Sequence, residues 1–254
     1  MIGFILGTSE GKNLLQGINK YTSNVVVSTA TAYGGELLEK CNVQHINTKP
    51  LNNEELKIFL LKFNVRVLVD ASHPYAEEVS KNAKGCCKAI NIEYIRYERK
   101  GVLQDVNYEN IIRVNKYTEL EDILNKINGT ILNTTGSKNI KQFISLNIKN
   151  RIVHRILPTV NSLKETLDYG VKVDDVVAIK GPIGYELNRA FIKEYNGKAM
   201  ITKDSGIEGG TMEKIEACID ENINLIIIEK PKIEYGQVFD CIDNVIQYLI
   251  SKYL

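Results

Sequence analysis

Short apolar runs rich in β-branched residues alternate with amphipathic helical stretches almost from end to end, and this rhythm restricts the fold more than any other feature. Strand-like runs are IGFIL (2–6), NVVVS (24–28), VQHI (43–46), VRVLVD (65–70) and IEYIRY (92–97), with helical patterns near 10–20, 33–40, 52–63 and 75–90. A further strand is predicted within 108–114, then a helix over 117–127. The rhythm restarts with strands at 130–135, 151–156, 175–179, 198–202 and 224–229, and helices at 137–146, 161–169, 184–195, 208–221 and 236–252. The runs VRVLV and LIIIE are apolar at every position, as strands buried on both faces of a parallel sheet must be. The pattern therefore predicts a doubly wound α/β protein with mainly parallel sheets flanked by helices. So many strands exceed one compact sheet. Two Rossmann-like domains are expected, 1–128 and 129–254, with the boundary near Asn128-Gly129, where a helix ends and the second rhythm begins. No residue-level repeat relates them.

Composition excludes several classes. Lys+Arg 32 against Asp+Glu 31 leaves a net charge of +1, which argues against a nucleic-acid surface. No apolar run approaches the ~18 residues of a membrane span. The opening MIGFILGTSEG lacks a basic segment and turns at a glycine, unlike a secretory signal. Cys41, Cys86, Cys87, Cys218 and Cys241 show no metal-ligand spacing and read as small buried hydrophobes. No metal site is expected, and the cytoplasm is the expected address.

Ligands of open parallel sheets bind beyond the carboxyl ends of the strands. After the first strand, Gly7-Thr8-Ser9-Glu10-Gly11 can offer backbone N–H groups to a phosphate at a helix start. It departs from the dinucleotide fingerprint, because Ser9 and Lys12 stand where the second and third glycines belong. A tight turn with a capped helix explains the same residues. After the second strand, Ser28-Thr29-Ala30-Thr31 carries neither the acid that selects NAD nor a cation for NADP. After the fourth, Asp70-Ala71-Ser72-His73-Pro74-Tyr75 predicts a helix starting at Pro74, capped by Ser72 or His73, with His73 and Tyr75 protruding at the crevice. His45 and His154 lie within strands and read as packing residues.

The run Tyr94-Ile95-Arg96-Tyr97-Glu98-Arg99-Lys100 fits either a solvated edge strand or a lining for an anionic ligand. Thr134-Thr135-Gly136-Ser137-Lys138 repeats the hydroxyl-and-glycine theme in the second half, and Gly181-Pro182 forms a turn there. The densest constellation is Thr202-Lys203-Asp204-Ser205-Gly206-Ile207-Glu208-Gly209-Gly210-Thr211. Glycines clustered between a strand and a helix weaken the chain unless backbone must approach something closely. Lys203 and Asp204 can also pair with each other. Tyr248 and Lys252 match a short-chain dehydrogenase spacing, but they end the last helix, away from any strand-end crevice, so the match is discounted.

In order, LGTSEG, VDASHPYA, YIRYER, NTTGSKN, the Gly-Pro turn and TKDSGIEGGTMEKIEA followed by LIIIEKP resemble the precorrin-6A reductase family of cobalamin biosynthesis. The match spans nearly the whole chain, and DASHPYA and TKDSG-x-EGGT are its specific pieces. The resemblance implies two Rossmann-like domains with the active site between them. It also implies reduction of the macrocycle's C18=C19 double bond by NADPH or NADH, giving precorrin-6B. On that basis Lys203, Asp204, His73 and Tyr75 are the catalytic candidates. The cofactor candidates are Gly7, Thr8, Ser9, Gly11, Thr135, Gly136, Ser205, Gly206, Glu208, Gly209 and Gly210. Arg96, Arg99, Lys138 and Lys203 are expected to orient the carboxylates of the tetrapyrrole substrate, which neighbouring pathway enzymes supply and receive. The Ile-, Asn- and Lys-rich composition favours the cobalt-loaded substrate, the metal arriving inside the ring. The competing class is a non-catalytic or transferase α/β protein binding a nucleotide-sugar or a tetrapyrrole.

Overall fold

The computed structural model describes residues 1–7, 9–98, 101, 106–204, 206, 209–230 and 233–254, with backbone alone for Ser9 and Glu10. In chain order the first elements are β1 (Ile2–Leu6), α1 (Ser9–Ile18), β2 (Val25–Thr29), α2 (Ala32–Glu36), β3 (His45–Asn47) and α3 (Asn53–Lys62). They are followed by β4 (Val67–Ala71), α4 (Glu77–Ala89), β5 (Glu93–Tyr97), β6 (Ile111–Val114), α5 (Leu120–Leu124), β7 (Thr130–Asn133), α6 (Ile140–Ile144) and β8 (Ile152–Ile156). The last are α7 (Val160–Asp168), β9 (Val176–Ala178), α8 (Tyr185–Glu194), β10 (Gly197–Lys203), α9 (Thr211–Asp220), β11 (Asn224–Ile228), β12 (Gln237–Phe239) and α10 (Ile242–Tyr253).

Two six-stranded sheets result, ordered β12-β5-β4-β1-β2-β3 and β6-β11-β10-β7-β8-β9. Every pairing is parallel. The inner strands β1, β2 and β4 are buried at every position, which is why they read as unbroken apolar runs. The two sheets share one topology. Each has a first strand flanked by its second and fourth, and each takes a sixth strand from beyond its own βα series.

The expected cut at 128/129 is corrected by this arrangement. Unit 1 comprises residues 1–100 and 231–254, and unit 2 comprises 101–230. The reason is hydrogen bonding: β6 pairs with β11 in the second sheet, whereas β12 returns to pair with β5 in the first. A three-residue strand was invisible in the sequence, so 236–252 read as one helix; α10 starts only at Ile242. Its face then joins the core of unit 1, where Val245 and Leu249 are completely buried with Phe4, Leu14 and Val27. Of the cysteines, Cys86, Cys87 and Cys218 are buried, Cys41 is partly buried, and Cys241 is exposed rather than buried as expected. Among the described residues, no helix is long and apolar enough to cross a membrane.

Helix ends use one device repeatedly. Asn64, Asn91, Asn196 and Asn222 follow α3, α4, α8 and α9 with φ of 48°, 55°, 46° and 50°. Asparagine tolerates this left-handed conformation because its short polar side chain bonds locally. Val65, Ile92 and Ile223 then donate their N–H groups back to Leu60, Cys87 and Cys218 carbonyls, closing each turn into the next strand.

Because Leu249 fills the core of unit 1 from a segment far away in sequence, Leu249→Ala should destabilise that unit by ~2–5 kcal/mol. Amide exchange read by NMR should accelerate in β1, β2 and β4, while β7 and β10 keep their protection.

Candidate active site

The sheet order reverses beside β1 in unit 1 and beside β7 in unit 2, and loops splay apart at such reversals to leave ligand space. In unit 1 the loops after β1 and β4 lie side by side, with Leu6 opposite Ala71. Gly7 makes this possible. A Cβ on Gly7 would stand 3.2 Å from the backbone nitrogen of His73 and 3.5 Å from Ser72 Cα. Gly11 has a different task, since its Cβ would press on the Leu6 side chain at 3.1 Å. It lets α1 lie close on β1, the packing task of a glycine at this place in such a loop. Ser9 opens α1, as a phosphate-facing helix start requires.

The segment after β4 corrects the expected helix start. Ala76 donates to the His73 carbonyl at 2.8 Å, so Pro74 and Tyr75 form a turn, and α4 begins at Glu77 without a side-chain cap. Within that turn the Tyr75 N–H donates to His73 Nδ1 at 3.3 Å, and the two rings lie 5.6 Å apart.

Beneath the turn is a buried ion pair. Arg96 Nη1 meets Asp70 Oδ1 at 2.9 Å, and both side chains are 0% exposed. Asp70 also accepts from Ser72 N–H and from the Tyr94 hydroxyl, at 2.9 and 2.7 Å. Arg96 Nη1 donates to Ser72 Oγ at 3.0 Å, and the guanidinium lies 5.0 Å from the Tyr235 ring centroid. Arg96 is thus withdrawn from solvent and does not orient substrate carboxylates; it holds the root of the His73 turn. Its Nη2 has no hydrogen-bond partner among the described residues.

In unit 2 the reversal brings together the ends of β7 and β10. Thr134 donates from both its N–H and its hydroxyl to the Ile201 carbonyl, at 2.9 and 2.8 Å. Thr135 bonds through N–H and hydroxyl to Asn133 Oδ1, so its hydroxyl serves the loop itself. Asn133 in turn reaches the buried His154 ring at 2.9 Å, whose burial lowers its pKa to about 4. Gly136, at φ 90°, has open space where a Cβ would be. Beyond β10, Asp204 Oδ1 accepts from Gly206 N–H at 3.2 Å, and the Asp204 carboxylate leaves no room for a side chain on Gly101. Gly210 sits at φ 65°, where a Cβ would be 2.9 Å from Pro182 Cβ, so the glycine-rich loop is fastened onto the Gly181-Pro182 turn. Gly209 accepts from Lys214 Nζ at 3.0 Å. Thr8, Arg99, Ser205 and Glu208 lie outside the described residues.

Unit 2 concentrates cations that are buried (Lys214) or partly buried (Lys203 and Arg155). Burial, aided by Lys138, lowers the Lys203 pKa to about 8. Burial and the nearby Arg155 lower Lys214 to about 7, and burial lowers Arg155 to about 10. Asp70 and Lys214 lie within the quoted motifs but were not singled out as site residues, and Arg155 and Asn188 escaped the sequence reading. Lys214 carried a usable signal, because it shares the buried face of α9 with Thr211, Ile215 and Cys218. The discounted Tyr248–Lys252 pair is structural, both side chains bonding Glu93 of β5.

Residues 2–250 match the family described as precorrin-6x reductase CbiJ/CobK. A cobalt-precorrin-6A reductase of Methanocaldococcus jannaschii is 38% identical, over 89% of this chain and 88% of its own. A cobalt-precorrin-6A reductase of Priestia megaterium is 34% identical over 99% of both chains. A solved CobK precorrin-6A reductase has the same fold, with a TM-score of 0.78 and 16% identity, over 98% of this chain and 96% of its own.

Two outcomes test the site's construction. Arg96→Leu strands the buried Asp70 carboxylate and should cost about 3–5 kcal/mol in urea unfolding, and adding Asp70→Asn should restore part of the loss. The depressed lysines set a pH dependence: above their folded pKa values the unfolded chain binds more protons, so stability rises with pH. Stability should therefore climb from about pH 7 towards 10.5, and Lys214→Met should flatten the climb at its lower end.

Proposed function

Since the chain belongs to the precorrin-6x reductase family and is an oxidoreductase of corrin-ring biosynthesis, we propose that it reduces cobalt-precorrin-6A to cobalt-precorrin-6B with NADPH or NADH. The carrying observation is positional. DASHPYA and TKDSG-x-EGGT, far apart in sequence, each follow the strand beside the order reversal of their own sheet. Ligand chemistry concentrates there, whereas a structural motif has no such preference.

The residues of unit 1 fit a dinucleotide. Gly7 admits a close approach of backbones at the strand end, and the first turn of α1 faces its N–H groups towards a diphosphate. At the end of β2, the hydroxyls of Thr29 and Thr31 bond to local backbone, and Thr31 caps α2. No acid stands at 28–31 to reject a ribose phosphate. When bound, a reduced nicotinamide would supply the hydride for the C18=C19 bond, and the protein would supply placement and a proton to the neighbouring carbon. Lys203, with its pKa near 8, holds or releases a proton at Nζ in the working range. His73 accepts the Tyr75 N–H at Nδ1, which puts the ring proton of the neutral imidazole on Nε2. Asp204, tied to Gly206, fixes the loop beside Lys203.

Anaerobic incubation of the protein with cobalt-loaded or metal-free precorrin-6A, and with each reduced nicotinamide, tests the reading through the colour change of the macrocycle. Turnover of the cobalt form is expected. Binding of the macrocycle without turnover under all four conditions would favour a tetrapyrrole binder. Ser9→Asp should raise the nicotinamide KM by placing charge against the phosphates. Gly210→Ala should lower kcat/KM at least about tenfold by forcing the loop from Pro182, a loss of about 1.4 kcal/mol of transition-state stabilisation.

A further inference from the structure

Asn188 is completely buried in the first turn of α8, where a side-chain amide costs free energy unless its polar atoms are matched. Its oxygen and its nitrogen both find partners. Oδ1 accepts from Arg155 Nη1 of β8 at 2.9 Å, and Nδ2 donates to the Ile183 and Gly184 carbonyls at 3.1 and 3.0 Å. A guanidinium only donates and a carbonyl only accepts, so the amide has a single orientation. None of the roles above uses either residue.

The two carbonyls lie just after the Gly181-Pro182 turn, against the end of the glycine-rich loop. Helices α8 and α9 pack side by side, which sets the segment leading into one beside the segment leading into the other. A Cβ on Gly210 would stand 2.9 Å from Pro182 Cβ and 3.7 Å from the Ile183 carbonyl oxygen. Lys214 of α9 supplies a second hold, since its Nζ donates to the Gly209 carbonyl at 3.0 Å. The contacts therefore run from β8 through Arg155 and Asn188 to the turn, and from the turn to the loop that follows β10. A buried polar network with its partners in place fixes one arrangement of the backbone it touches.

We propose that Asn188, oriented by Arg155, is a positioning residue for the reduction, holding the Ile183-Gly184 backbone that seats Gly209 and Gly210. Its part in the reduction rests on the role proposed above for the glycine-rich loop; its hold on that loop does not.

Asn188→Asp is the direct probe. The carboxylate keeps the shape and the acceptor for Arg155, but it sets an oxygen against the two carbonyls in place of the N–H donors. Labelling the full chain with 15N-glycine reports on the loop through 18 backbone amides. The expected result is displaced signals for Gly184, Gly209 and Gly210, with Gly3 and Gly17 of unit 1 unmoved. In turnover, kcat/KM should fall about tenfold. Gly210→Ala disturbs the same seat, so the double variant should lose no more than about twofold beyond the worse single one. Losses that multiply would overturn the proposal, because Asn188 would then act independently of the loop. A displacement confined to Gly184 would overturn it too, as Asn188 would order only the start of its own helix. So would an unchanged kcat/KM in Asn188→Asp despite displaced Gly209 and Gly210. If Asn188→Asp does not fold, Arg155→Met frees the same amide to turn and carries the same expectations. Loss of the reductase reading shows separately, as absence of turnover in the wild-type protein, and leaves the glycine signals to judge the hold on the loop.

Discussion

Pairing of β12 with β5 is the contact on which unit 1 depends. It brings the last stretch of the chain back across the sheet edge, with Glu98 donating to the Phe239 carbonyl at 2.9 Å as the ladder continues. Two consequences follow from that return. It delivers α10, whose Val245 and Leu249 complete the core against α1 and the inner strands. It also delivers Tyr235, whose ring lies against the Arg96 guanidinium and shields the Arg96–Asp70 pair from water. That pair anchors Ser72, and Ser72 begins the turn that presents His73 and Tyr75. The chain's C-terminal segment is therefore part of the support of a loop some 160 residues earlier, through contacts that are each short and specific.

Both sheets solve one topological problem in the same way. A parallel sheet needs helical crossovers, and each crossover needs a helix that stops cleanly before the next strand. Asn64 and Asn91 stop the helices before the fourth and fifth strands of the first sheet, and Asn196 and Asn222 do so at the corresponding places of the second. The strand ends differ in electrostatics, however. In unit 1 the buried arginine is matched by a buried aspartate and becomes scaffold. In unit 2, burial weakens the charged form of Lys203, Arg155 and Lys214.

The β/α rhythm was legible because it is local. Runs such as VVVST and VLVDA declare buried parallel strands by composition alone, and eleven of the strands overlap the predicted segments. What escaped was short or non-local. The three residues of β12 carry no period to read, and their strand character comes from the open edge of β5. The DASHPY helix start failed for a related reason: Pro74 fits the second position of a turn as well as the first turn of a helix, and the Ala76–His73 hydrogen bond decided for the turn. At the site, the loops rich in glycine and hydroxyls stood out. Arg96 did not declare its burial, since the Tyr/Arg alternation of β5 suits a solvated edge and the partner Asp70 lies on another strand.

By itself the sequence determined the fold class, the order of its elements and the family, because hydrophobic period, turn residues and signature loops are written along the chain. The tertiary structure alone decided which half owns each sixth strand, whether a given arginine is scaffold or ligand contact, and which lysines are desolvated. Those outcomes depend on groups brought together across large sequence separations. Burial and charge pairing are properties of the assembled neighbourhood rather than of any residue read in isolation.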